Sequence, residues 1–186
     1  MEKPILMIHE VDSFLFENVN LKNYILTFDD GLYSQFYYYD EIKKIDTQKI
    51  FFISSNIVCT GKQSLTFPTC REAHEKSFMG NNEDYMSLEQ IQFLKDEENV
   101  TIGGHGHFHK NLNTFKNLNE KVSYIKKDTE LMLEWFEKNL KFTPNKFCFP
   151  YNDDMNELYK LILKTFGFNE FYGKERLNIS QICKPV

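Results

Sequence analysis

The sequence predicts a parallel α/β fold, and three observations carry that prediction. Short apolar runs alternate with segments of helical periodicity, several of the runs stop at turn signals, and the chemically suggestive residues fall just past them. In such folds functional residues collect at the carboxyl ends of the strands.

Taken in order, PILMIHEV from Pro4 and NYILTF ending at Phe28 read as buried strands, the second stopped by the turn signal Asp29-Asp30-Gly31. SQFYYYDEIKKI, residues 34–45, reads as a helix, and the β-branched, apolar KIFFISSNIV, residues 49–58, as a third strand. Residues 59–84 are polar and contain Gly and Asn, which predicts an irregular insertion. Ser87 and Gln90 then form a capping-box pattern, with Leu88, Ile91 and Leu94 on one helical face. NVTIGG, residues 99–104, is a strand running into the histidines. From Phe115 to Leu140 the positions Leu118, Val122, Ile125, Met132, Leu133, Phe136 and Leu140 keep helical spacing. KFCF, residues 146–149, is a short strand, and Met155, Leu158, Ile162 and Phe166 mark a last helix closed by Gly167.

With 186 residues the chain is expected to form one domain over 1–186, large enough to bury a core without disulfide or metal staples. A net charge of −5 without long Lys or Arg runs argues against nucleic acid or an anionic membrane surface as partner, and fits a small neutral or polar substrate. The N-terminal apolar run is cut off by His9, Glu10 and Asp12 and is not a signal peptide, and no stretch is long enough to cross a membrane. Cys59, Cys70, Cys148 and Cys183 show no CxxC pairing, so reduced thiols and a cytoplasmic location are expected, with cysteine excluded as a metal ligand.

Two adjacent carboxylates after a buried strand, in TFDDG, have diverging side chains and so can take different roles. One can ligate a metal while the other accepts a proton from a water near it. The plainer alternative is a loop whose aspartates cap the next helix. In HGHFH, residues 105–109, His105 and His109 are spaced to converge on one ion across the start of a helix, whereas on an extended strand His107 would join them. Two imidazoles and a carboxylate make the three protein ligands of a catalytic zinc-type site, and such an ion lowers the pKa of a coordinated water to about 7.

TFDDG at 27–31, HGHFH at 105–109 and FPYN at 149–152, in that order after successive strands, resemble the polysaccharide deacetylases with a NodB homology domain, carbohydrate esterase family 4. The resemblance covers roughly residues 4 to 166 apart from the insertion. It implies a distorted, incomplete (β/α)7-type barrel that removes an N-acetyl or other small N-acyl group from a sugar or glycan precursor in cell-surface polysaccharide synthesis. It further implies Asp29 as catalytic base, Asp30, His105 and His109 as ligands of a divalent metal, often zinc, and the Tyr151 backbone N–H as an oxyanion donor. Pro150 and Tyr151 would border the substrate.

This sequence also departs from the family pattern. Gly106 stands where the family has Ser or Thr, Cys148 where it has an Arg that orients the base, and Asn152 where it has Gly. The family's late His, its general acid, has no counterpart, since no His follows His109. Among the remaining candidates, His107 is read as a third ligand, a substitute acid or a packed side chain. His9 is taken as a structural histidine near the pocket, His74 as a surface residue, Arg176 as a surface charge or else a contact to an anionic part of the substrate, Trp135 and the aromatics at 36–39 as core. Two rival functions follow: another amidohydrolase using His105 and His107 as an HxH pair, and a deacetylase-like module that binds metal and sugar without turnover.

Overall fold

The computed structural model describes residues 3–153 and 157–182. The chain runs β1 (Ile5–Ile8), α1 (Ser13–Asn18), β2 (Ile25–Phe28), α2 (Tyr33–Tyr37), α3 (Tyr39–Lys43), β3 (Lys49–Ile53), α4 (Cys70–Phe78) and α5 (Leu88–Lys95). It continues through β4 (Val100–Gly104), α6 (Leu118–Leu140), β5 (Lys146–Cys148), α7 (Glu157–Thr165), β6 (Glu170–Tyr172), β7 (Leu177–Asn178) and α8 (Ile179–Ile182). The strands form one sheet in the order β6-β5-β4-β3-β2-β1-β7, with every pairing parallel.

That order is what a (β/α)7 barrel requires, because the last strand returns to the edge of the first. Chain length enforces the curl. In a flat sheet β6 and β7 would lie about 29 Å apart, at ~4.8 Å per strand spacing. The connection from Tyr172 to Leu177 can extend to only about 17 Å. The sheet therefore bends round until its edges are near neighbours, and the expected incomplete barrel is found, its seam crossed by residues 173–176.

On the outer, helix-covered face of the curved sheet Leu6, Ile8, Leu26, Phe28, Phe51 and Phe147 are fully buried, and Ile50, Phe52, Cys148 and Tyr172 fill the inner face, as expected of parallel strands covered on both faces. The long helix α6 packs on the outer layer through Ile125, Met132, Phe136 and Leu140, the predicted stripe. Gly103 and Gly104 keep β4 close to its neighbours: a Cβ on the first would lie 2.6 Å from Phe52, and one on the second 2.7 Å from Met132.

Several elements differ from expectation. The 34–45 helix is broken at Tyr38 into α2 and α3, because two apolar surfaces compete for it: Tyr39 and Ile42 face the core, while Tyr37 is exposed and packs on Phe67. The insertion at 59–84 is not irregular throughout, since α4 begins in it with a capping box formed by Thr69 and Glu72. Trp135 packs at the edge of the core, as expected. The last long helix is present as α7, with Met155 outside the described residues.

Candidate active site

Four segments at the carboxyl ends of the strands, together with α4, meet at one cavity of about 510 Å³. After β1 comes His9, after β2 Asp29 and Asp30, after β4 His105 to His109, and after β5 Tyr151 and Asn152; α4 closes the remaining side with Cys70 and His74.

The two aspartates diverge because Asp30 takes a left-handed conformation at φ 72° and Gly31 follows at φ 79°. The turn is pinned by Gln35, whose side-chain amide donates to the carbonyls of Asp29 and His9. Tyr151 and His109 also sit at positive φ, 57° and 50°. Three of the residues expected to do chemistry are thus held in a backbone region that costs energy, as is common at functional sites.

Asp29 is buried and held by Arg176, which lies between β6 and β7. The guanidinium donates from Nη1 to Oδ1 at 2.7 Å and from Nη2 to Oδ2 at 2.8 Å. Its other donors reach Thr27 Oγ1, Gly173 O, Asn152 Oδ1 and Cys148 Sγ. Burial would raise the Asp29 pKa, but the charge and hydrogen bonds of Arg176 outweigh it and hold the carboxyl below its ordinary value. Arg176 is therefore not the expected surface charge. It reaches Asp29, the residue expected to be the base, from another part of the chain, over a Cys148 small enough to leave it room.

Asp30 faces the imidazoles. Its Oδ1 lies 3.1 Å from His105 Nε2 and 3.0 Å from His109 Nε2, and its Oδ2 lies 3.4 Å from His74 Nε2 and accepts from Cys70 Sγ at 3.0 Å. All three imidazoles are buried. Burial opposes ionisation of Asp30, yet the imidazoles, His109 foremost, hold its carboxyl well below the usual range. Burial pushes His109 down to about 4, and it pushes the Cys70 thiol up, so Cys70 stays protonated.

His105 supplies the test of whether a cation fits here. Its Nδ1 lies 2.9 Å from the Cys148 carbonyl, which can only accept, so Nδ1 carries the proton. A neutral His105 then turns a lone pair on Nε2 toward a carboxylate oxygen, and two acceptors 3.1 Å apart require positive charge between them. A second proton meets that need in the metal-free chain. Burial disfavours it, but the Cys148 thiol and Asp30 prevail, and the His105 pKa stands well above the ordinary imidazole value. A divalent ion meets it equally well, and the donor set of one carboxylate and two Nε2 atoms suits zinc. Asp30 Oδ1 and His74 Nε2 are buried without a hydrogen-bond partner, which supports the fit.

His105 and His109 converge through a turn rather than a helix start. Asp128, a carboxylate in the buried stripe of α6, accepts the backbone N–H groups of His107 and Phe108 at 2.9 Å and the Tyr124 hydroxyl at 3.0 Å. Gly106 makes the turn possible: its φ is 77°, and a Cβ there would lie 3.0 Å from Asp128 Oδ2. The turn sends His107 the other way, with Nδ1 2.8 Å from Ser55 Oγ in a separate cavity beside Trp135. The HxH pairing of His105 with His107 is thereby lost, as is a role for His107 as third ligand or acid. His9 does border the pocket, with Nε2 3.9 Å from Asp29 Oδ2 and 4.0 Å from Asp30 Oδ2. Tyr151 lines the cavity half-exposed, its ring centroid 5.0 Å from that of His109. Pro150 does not line it: the proline is buried behind the turn, near Gly106.

Sequence reasoning missed His74, Arg176 and Asp128. A signal existed for two of them: the Thr69–Glu72 capping box announces α4 and so its inner face, and an Asp at position 128 interrupts an otherwise apolar stripe.

A family model described as polysaccharide deacetylase matches residues 17–171. Among solved structures, IcaB from Ammonifex degensii is similar at a TM-score of 0.68 and 16% identity, over 97% of this chain and 93% of that one. The BpsB deacetylase domain from Bordetella bronchiseptica is similar at 0.69 and 12%, over 92% and 88%. BA3943 from Bacillus anthracis, a pseudoenzyme of the CE4 family, is similar at 0.50 and 17%, over 92% and 43%. No curated protein sequence matches the chain.

Proposed function

The chain belongs to the polysaccharide deacetylase family, and from that premise we propose that it hydrolyses the N-acetyl group of an aminosugar in a polysaccharide or its precursor, with a divalent metal ion held by Asp30, His105 and His109. The observation that carries this reading is the division of labour between neighbouring carboxylates. Asp29 is clamped by a guanidinium and Asp30 is ringed by buried imidazoles, on opposite sides of one turn.

When bound, the metal ion, zinc in this reading, supplies Lewis acidity that lowers the pKa of a water and draws charge from the acyl oxygen. The chain does the rest. Asp29, kept ionised and fixed in orientation by Arg176, accepts the proton of the attacking water at Oδ2, the oxygen facing His9. The backbone N–H of Tyr151 donates to the acyl oxygen as it gains charge. Its ring, half-exposed against His109, forms a wall for the sugar. His9 takes the place of the family's late histidine: its Nε2 borders the cavity and stands beside the base, where it can pass a proton to the departing nitrogen.

The test is acetate release from N-acetylglucosamine oligomers by zinc- or cobalt-loaded protein. Asp30→Ala should lose both metal and activity, and Asp29→Asn should keep metal but lose activity. A wild-type protein that binds the metal and the glycan yet releases no acetate would instead be a binding module of the same fold.

A further inference from the structure

We infer that His74, on the insertion helix α4, is a fourth protein ligand of the metal, so that the ion is held by Asp30 and three imidazoles. The inference rests on the metal site of the reading above and adds a residue from outside the strand ends.

Three independent features converge on it. First, His74 Nε2 is buried with no hydrogen-bond partner and lies 3.4 Å from Asp30 Oδ2, the carboxylate oxygen not turned to His105 and His109. A buried polar atom aimed at a carboxylate without a hydrogen bond requires a further partner. Second, the His74 ring lies face to face on that of His109, centroids 4.2 Å apart and planes inclined by 12°, which places it against the same carboxylate; shared ligation requires one ring to tilt so that both Nε2 lone pairs meet at the ion. Ligand atoms of Asp30, His74 and His109 all lie within 4.8 Å of one another. Third, His74 Nδ1 is 3.0 Å from the hydroxyl of Tyr85, a fully buried residue. A ligating histidine characteristically gives its other ring N–H to a fixed partner, which orients the ring and leaves the remaining nitrogen free for the ion.

Helix α4 is seated firmly enough to deliver the ligand. Ala73 packs with Leu32, Ile57 and Tyr85 in a small apolar cluster, and the backbone N–H of Cys70 donates to Glu10. The insertion thus serves as part of the metal cage rather than as a surface elaboration.

The experiment measures zinc affinity by competition with a chromophoric chelator, and the visible spectrum of the cobalt(II)-loaded protein, for wild type, His74→Ala, His74→Gln and Asp30→Ala. His74→Ala and His74→Gln should each weaken zinc binding at least about 10- to 100-fold and change the intensity and position of the cobalt bands. Unchanged affinity in both variants would overturn the inference, as would weakened affinity with an unaltered cobalt spectrum, which would make His74 a support and not a ligand. Those results leave the proposed function standing if Asp30→Ala still abolishes binding. Failure of wild type to bind either metal would overturn both. Thermal melts of the metal-free variants establish that each is folded, and His74→Gln serves if the alanine variant is not.

Discussion

Arg176 and Asp29 stand 147 residues apart in the chain and meet in a two-pronged ion pair, fully buried, with contacts of 2.7 and 2.8 Å. The fork uses both carboxylate oxygens, so it fixes orientation as well as charge. Arg176→Met should lower kcat far more than KM and leave metal affinity nearly intact. It should also destabilise the fold by about 3–5 kcal/mol, the cost of stranding one member of a buried pair. Arg176→Lys, which keeps the charge but not the fork, should recover stability in part and activity little. Lysine with wild-type turnover would show that only charge matters.

The same pair sets a pH dependence. In the folded protein the Asp29 pKa lies below its ordinary 3.8, so the stabilisation from this group is complete above that value and is lost as pH falls through the lower, folded-state pKa. In Arg176→Met, burial acts unopposed by the guanidinium, Asp29 binds its proton at higher pH, and the variant gains stability relative to wild type on acidification. Denaturant melts of metal-free protein should therefore show the deficit narrowing between pH 7 and 4. A constant deficit would contradict the assigned charge states.

His9 is the imidazole assigned to the leaving group. His9→Ala should reduce kcat by about 10²- to 10⁴-fold with an amide substrate, and much less with an activated ester whose leaving group needs no proton. Equal losses on the two substrates would remove His9 from that role.

Gly106→Ser restores the residue type of the family pattern and should nevertheless do harm. A side chain at φ 77° costs about 1–2 kcal/mol before any contact with Asp128 is counted. The melting temperature should fall and zinc affinity weaken, because the turn carries His105 and His109 with it. A fully stable, fully metal-binding variant would show that Asp128 can give way.

Much of this was legible in the sequence because its determinants are local. Strands β1 to β5 are short apolar runs, α5 and α6 carry periodic stripes, and TFDDG and HGHFH sit where strands end. The break at Tyr38 was not legible, since it records a competition between two packing surfaces. Strands β6 and β7 are three and two residues long, too brief to show a period. Arg176 could not be read at all: nothing near it announces a carboxylate, and only the curl of the sheet brings Asp29 within reach. His74 is obscured because polar composition suits an irregular loop and a capped helix with a small residue on its inner face, Ala73, equally well.

The four-residue crossing of the barrel seam gives the molecule an order of assembly. Asp29 is made early in synthesis and Arg176 late, and a buried carboxylate without its counter-charge is strongly disfavoured. Until the crossing is seated Asp29 has no reason to stay desolvated and charged. Closure of the wall and formation of the buried ion pair are then one event, and a nascent chain short of its seventh strand carries its motifs without yet holding them in a finished site.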